Sequence, residues 1–183
     1  LFTPAQIRDN LTALYEQGQL DSCFADIRVE RTDTVLCYHL FPRPWLHQVR
    51  FSGNTALPDS VLLPLFENQI HQPLNLHGWQ KACTALLQRY RRQGYSLAAI
   101  QKVRYDAAAQ TAHVTIAEGM ISRLFFTGNR TTRDMVIARE FTLKPGEYFQ
   151  LEQTKQGLAN LYGSGLFNSV VLRTHRVDSS WNL

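Results

Sequence analysis

One short segment of this sequence occurs twice, and this internal repeat limits the folds that are open to the chain. Phe51-Ser52-Gly53-Asn54 reappears as Phe126-Thr127-Gly128-Asn129, so the two copies start 75 positions apart. The same offset aligns apolar residues outside the tetrapeptides, namely Val49 with Leu124, Val61 with Val136, Phe66 with Phe141, Leu76 with Leu151 and Leu86 with Leu161. Self-similarity at a fixed offset indicates a repeated supersecondary unit, here of about 75 residues.

A second motif shows that a third copy lies upstream. LTALYEQG at 11–18 matches LANLYGSG at 158–165, and LLQRYRRQG at 86–94 holds the same place in the middle copy. The chain opens on Leu1 rather than on a methionine, so we expect it to be a segment of a longer protein. We expect three units: residues 1–42, which lack the first strand and helix of a unit, residues 43–118, which are complete, and residues 119–183, which are truncated near the last strand.

The hydrophobic pattern of the middle unit (residues 43–118) predicts a strand followed by two helices. Apolar residues alternate between Trp45 and Phe51, which is the period of a half-buried strand, and Gly53-Asn54 suits the tight turn that ends it. A short helix is predicted over 58–67. A longer helix ending at Gly94 follows, because apolar residues recur at steps of three and four: Leu76, Trp79, Cys83, Leu86, Leu87 and Tyr90.

The remaining segments predict two more strands and an α+β fold. Ala99–Tyr105 and Thr111–Ala117 flank a small polar turn in the middle unit. Trp181, which lies beyond the second strand of the third unit, receives no role. Each unit therefore has the order β-α-α-β-β, which we expect to pack two helices on one face of a three-stranded mixed sheet. The corresponding strands of the first unit are Phe24–Glu30 and Val35–Leu40.

Together, these motifs resemble those of POTRA, or polypeptide-transport-associated, domains. The resemblance is carried by F-x-G-N at the end of the first strand, by L-x-x-L-Y-x-x-G at the end of the long helix, and by G-L-F-N-S-V-V at Gly165–Val171. It extends over essentially the whole chain. It implies a periplasmic arm of tandem units, attached to the bacterial outer membrane through a C-terminal β-barrel outside this sequence, with a chloroplast-type relative as the alternative location.

The resemblance also implies a function in protein insertion and transport. Tandem POTRA domains form the periplasmic scaffold of outer-membrane insertases and translocases, which deliver polypeptides to a membrane barrel. The expected partners are unfolded outer-membrane or secreted polypeptides, together with periplasmic accessory proteins. The arm of a two-partner secretion transporter is an alternative within the same family.

The expected binding site is an exposed sheet edge. An edge strand offers unpaired N–H and C=O groups, so an extended peptide can add to it as a further strand, which is termed β-augmentation. In the family that this chain resembles, the second strand of a unit is such an edge. This implies Ile100, Gln101, Lys102, Val103, Arg104 and Tyr105 in the middle unit, and Phe167, Asn168, Ser169, Val170, Val171 and Leu172 in the third.

The joints between units are short. Pro42 and Pro44 restrict the backbone at the first joint, whereas Gly119, after Glu118, gives the second joint more freedom. We therefore expect a semi-rigid arm with inter-domain hinges at these two places and its main bend near Gly119.

The charge of the chain supports one further alternative. The formal net charge is +4, and Arg89, Arg91 and Arg92 form a basic cluster. Such a cluster could bind lipid headgroups or nucleic acid, but basic residues at a helix end also complement the helix dipole. A module that binds lipid headgroups or nucleic acid is therefore the alternative function. The main prediction, a polypeptide-binding scaffold, includes no nucleic-acid partner.

The sequence contains no recognisable catalytic constellation. None of the six histidines has H-x-x-x-H or H-E-x-x-H spacing, and the GSG at 163–165 ends a helix rather than forming a nucleophile turn. The three cysteines form no C-x-x-C pair. We therefore expect no enzymatic activity, no cofactor and no metal.

Overall fold

The computed structural model describes residues 3–31, 33–177 and 180–183, and its elements follow the sequence repeat. The first unit contains helix α1 (Pro4–Glu16) and strands β1 (Leu20–Glu30) and β2 (Asp33–Pro42). Thr3 caps the start of α1: its hydroxyl accepts the Gln6 N–H, while the Gln6 side chain accepts the Thr3 N–H. The two strands form an antiparallel hairpin in which Glu30 pairs with Asp33.

The middle unit has the predicted order of elements, with the first strand and the first helix each divided in two. Its bounds are β3 (Trp45–Leu46), β4 (Gln48–Ser52), α2 (Asp59–Leu62), a 3₁₀ helix (Leu63–Gln69), β5 (Gln72–Pro73), α3 (Leu76–Arg92), β6 (Ala99–Asp106) and β7 (Thr111–Ala117). Strands β4 and β6 flank β7 in one sheet, β4 parallel and β6 antiparallel to it. This three-stranded mixed sheet confirms the predicted fold class.

The core of the middle unit lies between this sheet and its helices. The central strand β7 supplies Ala112, Val114 and Ile116, each at most 3% exposed. Helix α3 supplies Leu86 and Tyr90, which are fully buried, as the predicted apolar stripe requires. The sheet therefore has one face covered by helices and one face, here called the outer face, that is open to solvent.

The F-x-G-N motif performs the same task in both copies. Gly53 and Gly128 adopt φ of 78° and 88°, a left-handed backbone that favours glycine. The side chain of Asn54 then donates to the Leu57 carbonyl and to Asp59, at 3.0 and 2.7 Å. One repeat later, Asn129 donates to the Thr132 carbonyl and to Asp134 at 2.8 and 2.7 Å. In both copies the asparagine therefore ties the turn to the first residue of the first helix.

The third unit contains β8 (Ile121–Arg123), α4 (Asp134–Glu140), α5 (Leu151–Gly163), β9 (His175–Val177) and β10 (Ser180–Asn182). Strand β10 lies between β8 and β9, parallel to the former and antiparallel to the latter. Trp181, to which the sequence assigned no role, is half-buried in this short central strand. Over the described residues, no helix has the length and apolar character that spanning a membrane would need.

The strand predicted at Phe167–Leu172 is wrong, because the structure places no strand there and β9 begins only at His175. A side chain takes up the backbone groups that a strand would use. The Tyr162 hydroxyl donates to the Val170 carbonyl at 2.8 Å and accepts the Val170 N–H at 3.1 Å. This segment is therefore anchored to α5 instead of pairing with a neighbouring strand.

Candidate peptide-binding edge

Strand β6 is an edge of the middle unit's sheet. Its only strand partner among the described residues is β7, so its other side has no pairing strand. The residues from Gln101 to Arg104 are exposed. The structure thus places Ile100–Tyr105 on an edge strand, while peptide binding there stays a prediction.

A β-bulge divides β6 at Gln101. Ile100 pairs with Ile116 and Lys102 pairs with the next residue of β7, Thr115, so Gln101 is the extra residue. A bulge interrupts regular pairing and increases the local twist of the strand. The regular part of the edge is therefore the segment from Lys102 to Asp106.

The register assigns the side chains of this segment to the two faces of the sheet. Val103 pairs with the buried Val114 on the helix side, yet it is 45% exposed because it lies at the edge. Lys102 and Arg104 point to the outer face, opposite Thr115 and His113. The hydrogen bond between the Ser52 and Thr115 hydroxyls, at 3.1 Å, places β4 residues on the same outer face.

The outer face carries a basic row across all three strands. Arg50 pairs with His113, and His113 pairs with Arg104, so the three side chains form one line. Asp106 lies on the same face, but its carboxylate accepts the N–H groups of Ala108 and Ala109 at 3.0 and 3.2 Å. The hydrogen bond from Ala109 has the largest effect on the pKa of Asp106. Together with the bond from Ala108 and the charge of the nearby Arg104, it holds this pKa below its usual range, although burial acts in the opposite direction.

The second predicted site, residues 167–172, lines an apolar groove instead of forming an edge strand. The groove has a volume of about 650 Å³ and lies between residues 124–129 and residues 167–175. Leu124, Phe126 and Leu161 contribute to its walls. In the middle unit, by contrast, every residue of β4 from Gln48 to Ser52 pairs with β7.

The first joint, at Pro42 and Pro44, is tied on both sides by backbone hydrogen bonds. The N–H of Arg43 donates to the Gln19 carbonyl at 2.8 Å, and the N–H of Leu74 donates to the Pro44 carbonyl at 3.0 Å. The joint therefore has fixed contacts with the start of β1 and with the segment before α3.

The second joint contains the buried carboxylate of Glu118, which the sequence predicted only as part of a hinge. Glu118 is 3% exposed and accepts the N–H of Ala56 at 2.9 Å and the hydroxyl of Tyr90 at 2.8 Å. The hydroxyl of Thr55 donates to Glu118 as well. The next residue, Gly119, adopts φ of 82° and its carbonyl accepts the N–H of Phe149 at 2.9 Å. Whether the arm bends here stays a prediction.

The long helices of successive units meet end to start. The carbonyl of Gly18, after α1, accepts the N–H of Leu76 in α3 at 3.3 Å, and the carbonyl of Gly94, after α3, accepts the N–H of Leu151 in α5 at 3.0 Å. A Cβ added at Gly94 would lie 2.8 Å from Oε1 of Gln150. The glycine that follows each of these two helices, Gly18 or Gly94, is therefore also a contact point for the following unit.

The described residues offer no metal centre: no three or more of their histidine, cysteine, aspartate and glutamate side chains come together as a group that could hold an ion.

Comparison with protein families agrees with this architecture. The model of the POTRA family, described as a surface antigen variable number repeat, matches residues 45–119 and again residues 120–182. The chain therefore belongs to the POTRA family, as the motifs predicted. A protein of Treponema pallidum (strain Nichols), whose name describes it as an outer membrane protein assembly factor, is 29% identical over 104 residues. That match covers 54% of this chain and only 12% of the Treponema protein.

Solved structures share the fold at low sequence identity. The N-terminal domain of Omp85 from the thermophilic cyanobacterium Thermosynechococcus elongatus matches with a TM-score of 0.82 at 24% identity, over 99% of this chain and 81% of that one. POTRA1-3 of the periplasmic domain of Omp85 from Anabaena matches with 0.71 at 22% identity, over 99% and 79%. CdiB from Escherichia coli matches with 0.65 at 17% identity, over 100% of this chain and 35% of CdiB.

Proposed function

We propose that this chain is the polypeptide-receiving arm of an outer-membrane protein assembly or transport protein, and that it binds extended substrates by adding them to β6. The observation that carries the proposal is the edge position of β6, whose pairing with β7 leaves one side open. Main-chain hydrogen bonds provide affinity in this mode without requiring one particular sequence. The arm would lie in the periplasm and pass unfolded outer-membrane or secreted polypeptides to a membrane barrel.

The family membership and the name of the Treponema relative support this role. Strands of outer-membrane barrels alternate polar and apolar residues, and such segments suit addition to a sheet edge. The arm of a two-partner secretion transporter, the alternative within the family, would use the same edge with a different polypeptide. The similarity to CdiB lies at the level of the fold alone. Periplasmic accessory proteins are a second class of partner for the same arm.

The proposal is tested by an NMR titration of the isotopically labelled chain with a peptide taken from an outer-membrane β-strand and with its scrambled form. We expect chemical-shift changes along Ala99–Asp106. Val103→Pro should abolish them, because proline cannot continue strand pairing. Val29→Pro, on the exposed strand β1 of the first unit, is the matched control and should leave them intact.

Two outcomes would contradict the proposal. One is the absence of shifts along β6 even at millimolar peptide, and the other is unchanged binding by Val103→Pro. If that variant loses the dispersed amide spectrum of the middle unit, Val103→Lys serves instead. It keeps the backbone donor and places a charge on the inner side of the edge, which disfavours strand addition.

A further inference from the structure

We infer that the middle unit selects extended polypeptides in which acidic residues alternate with apolar residues, and that Lys102 and Arg104 are the residues that make this selection. The inference rests on the proposed function, since it specifies the partner of the β6 edge. It is carried by the register of the sheet, by the charges on the outer face and by the exposure of Val103.

The first step is the position of the charges relative to the open edge. Arg104 lies on β6 itself, next to His113 and Arg50 in the row across the sheet, and Lys102 lies two residues before it on the same face. Side chains of neighbouring strands on one face lie about 4.5–5.5 Å apart at Cβ. A strand added to β6 would therefore place its own outer-face side chains beside Lys102 and Arg104.

The second step is that the basic row forms no ion pair of its own within the described part of the chain. Among the described residues, no ion pair involves Arg50, Lys102 or Arg104. Arg50 instead donates from Nε to the amide oxygen of Gln48 at 3.2 Å. Because like charges placed opposite each other destabilise a sheet, this row favours the addition of a strand that carries negative charge.

The first unit shows that such compensation is possible within this fold. On its hairpin, the carboxylate of Asp26 lies 3.3 Å from Nε of Arg28 and 3.1 Å from Nε2 of His39. The hydrogen bond from His39, together with Arg28, holds the pKa of Asp26 below its usual range. The carboxylate of that hairpin thus contacts two of its basic groups directly. On the outer face of the middle unit, Asp106 lies near Arg104 but accepts its hydrogen bonds from the backbone N–H groups of Ala108 and Ala109.

The third step concerns the other face of the added strand. Val103 points to the helix side, where Val114 beside it is fully buried, yet Val103 is 45% exposed. An apolar side chain on the incoming strand would cover it, and burial of apolar surface is favourable. One face of the partner should therefore be acidic and the other apolar, with a period of two residues.

The experiment compares two heptapeptides with the 183-residue chain, TVEVEVT and TVKVKVT, by NMR titration at low salt. We expect the acidic peptide to bind roughly tenfold more tightly, the combined effect of about two cross-strand charge pairs. The double variant Lys102→Glu with Arg104→Glu should reverse this preference. The matched control, Arg89→Glu with Arg91→Glu, changes the net charge equally at the end of α3 and should leave it unaltered.

The outcomes separate this inference from the proposed function. Equal affinity for both peptides, with shifts along β6, would overturn the selection while leaving strand addition intact. No shifts along β6 with either peptide would overturn strand addition itself. A preference for the acidic peptide that persists in Val103→Pro would show general charge attraction and would overturn the inference. Reversal of the preference by Arg89→Glu with Arg91→Glu would do the same. If the variant Lys102→Glu with Arg104→Glu does not fold, Lys102→Gln with Arg104→Gln replaces it and should abolish the preference for the acidic peptide.

Discussion

The hydroxyl of Tyr90 donates a hydrogen bond to Oε1 of Glu118 at 2.8 Å, and both side chains are almost completely buried. Tyr90 belongs to the last turn of α3, whereas Glu118 stands at the joint between the middle and third units. Two further donors, Ala56 N–H and the Thr55 hydroxyl, reach the same carboxylate. The Thr55 hydroxyl also lies 2.8 Å from the hydroxyl of Tyr148 in the third unit, so the two units share this hydrogen-bond network.

Tyr90→Phe should destabilise the chain by about 1–3 kcal/mol, because it removes one donor from a buried carboxylate. Urea unfolding gives the free-energy difference. Tyr105→Phe is the control, since the Tyr105 hydroxyl donates to the Trp45 carbonyl in a solvent-exposed position where water can replace it. Equal losses in the two variants would contradict a special role for the Tyr90–Glu118 pair.

Glu118→Gln should cost about 1.5–3 kcal/mol, because a neutral amide has one oxygen to accept hydrogen bonds and its NH₂ group would face donors. The variant should also broaden the distribution of distances between spin labels placed on the middle and third units. Glu147→Gln is a suitable comparison, because Glu147 accepts a single backbone N–H, that of Lys144, at an exposed site. A narrow, unchanged distance distribution in Glu118→Gln would show that the joint does not depend on the buried carboxylate.

The stability of the chain should fall as the pH rises above about 10, the ordinary pKa of tyrosine. Burial, the hydrogen bond to Glu118 and the charge of that carboxylate raise the pKa of Tyr90. The folded state therefore keeps a proton that the unfolded state releases, and each further pH unit favours unfolding. Denaturation midpoints measured between pH 8 and 11 would show a smaller decline in Tyr90→Phe than in the parent chain, and identical declines would contradict this assignment.

Gly94→Ala should change the orientation of the third unit relative to the middle unit, whereas Gly165→Ala should not. Both glycines end a long helix with φ of 90° and 68°, so alanine costs roughly 1–2 kcal/mol at either position. Only the Cβ at Gly94 would meet the next unit, at Gln150, because a Cβ at Gly165 has no neighbour within 4 Å.

Pulsed electron paramagnetic resonance can separate these two effects. Spin labels at Gln88→Cys on α3 and Gln156→Cys on α5, in a background with the native cysteines replaced by serine, would report the distance between units. We expect this distance to shift in Gly94→Ala and to stay constant in Gly165→Ala at similar loss of stability. A shift of equal size in both variants would mean that strain alone, not contact between units, alters the joint.

Much of the fold could be predicted because local patterns coincide with tertiary structure in the middle unit. Within the apolar stripe that ends at Tyr90, Leu86 and Tyr90 are fully buried, whereas Leu76 at the start of the helix is 45% exposed. The strands predicted at 99–105 and 111–117 match β6 and β7 to within one residue. The F-x-G-N turn was predicted from the conformational freedom of both residues. Only the glycine uses it, and the asparagine acts through its side-chain amide.

The parts that could not be predicted depend on contacts between distant residues. Residues 167–172 have the composition of a strand, but the hydroxyl of Tyr162 binds the backbone of Val170. Glu118 has the sequence context of a solvated linker, since it stands between Ala117 and Gly119. Its donors lie far away in the sequence, Tyr90 28 residues earlier and Ala56 62 residues earlier. The basic row on the outer face depends on the register of three strands, which periodicity alone does not define.

The parallel pairing of β4 with β7 joins the first and last parts of the middle unit. Because β7 is also the only partner of β6 among the described residues, the sheet cannot form until the end of the unit is available. Contacts so distant in sequence make folding slow and cooperative. While the chain is being synthesised, the sheet of the middle unit would therefore stay incomplete until residue 117 is available, and the edge of β6 would form only together with the last strand of the unit.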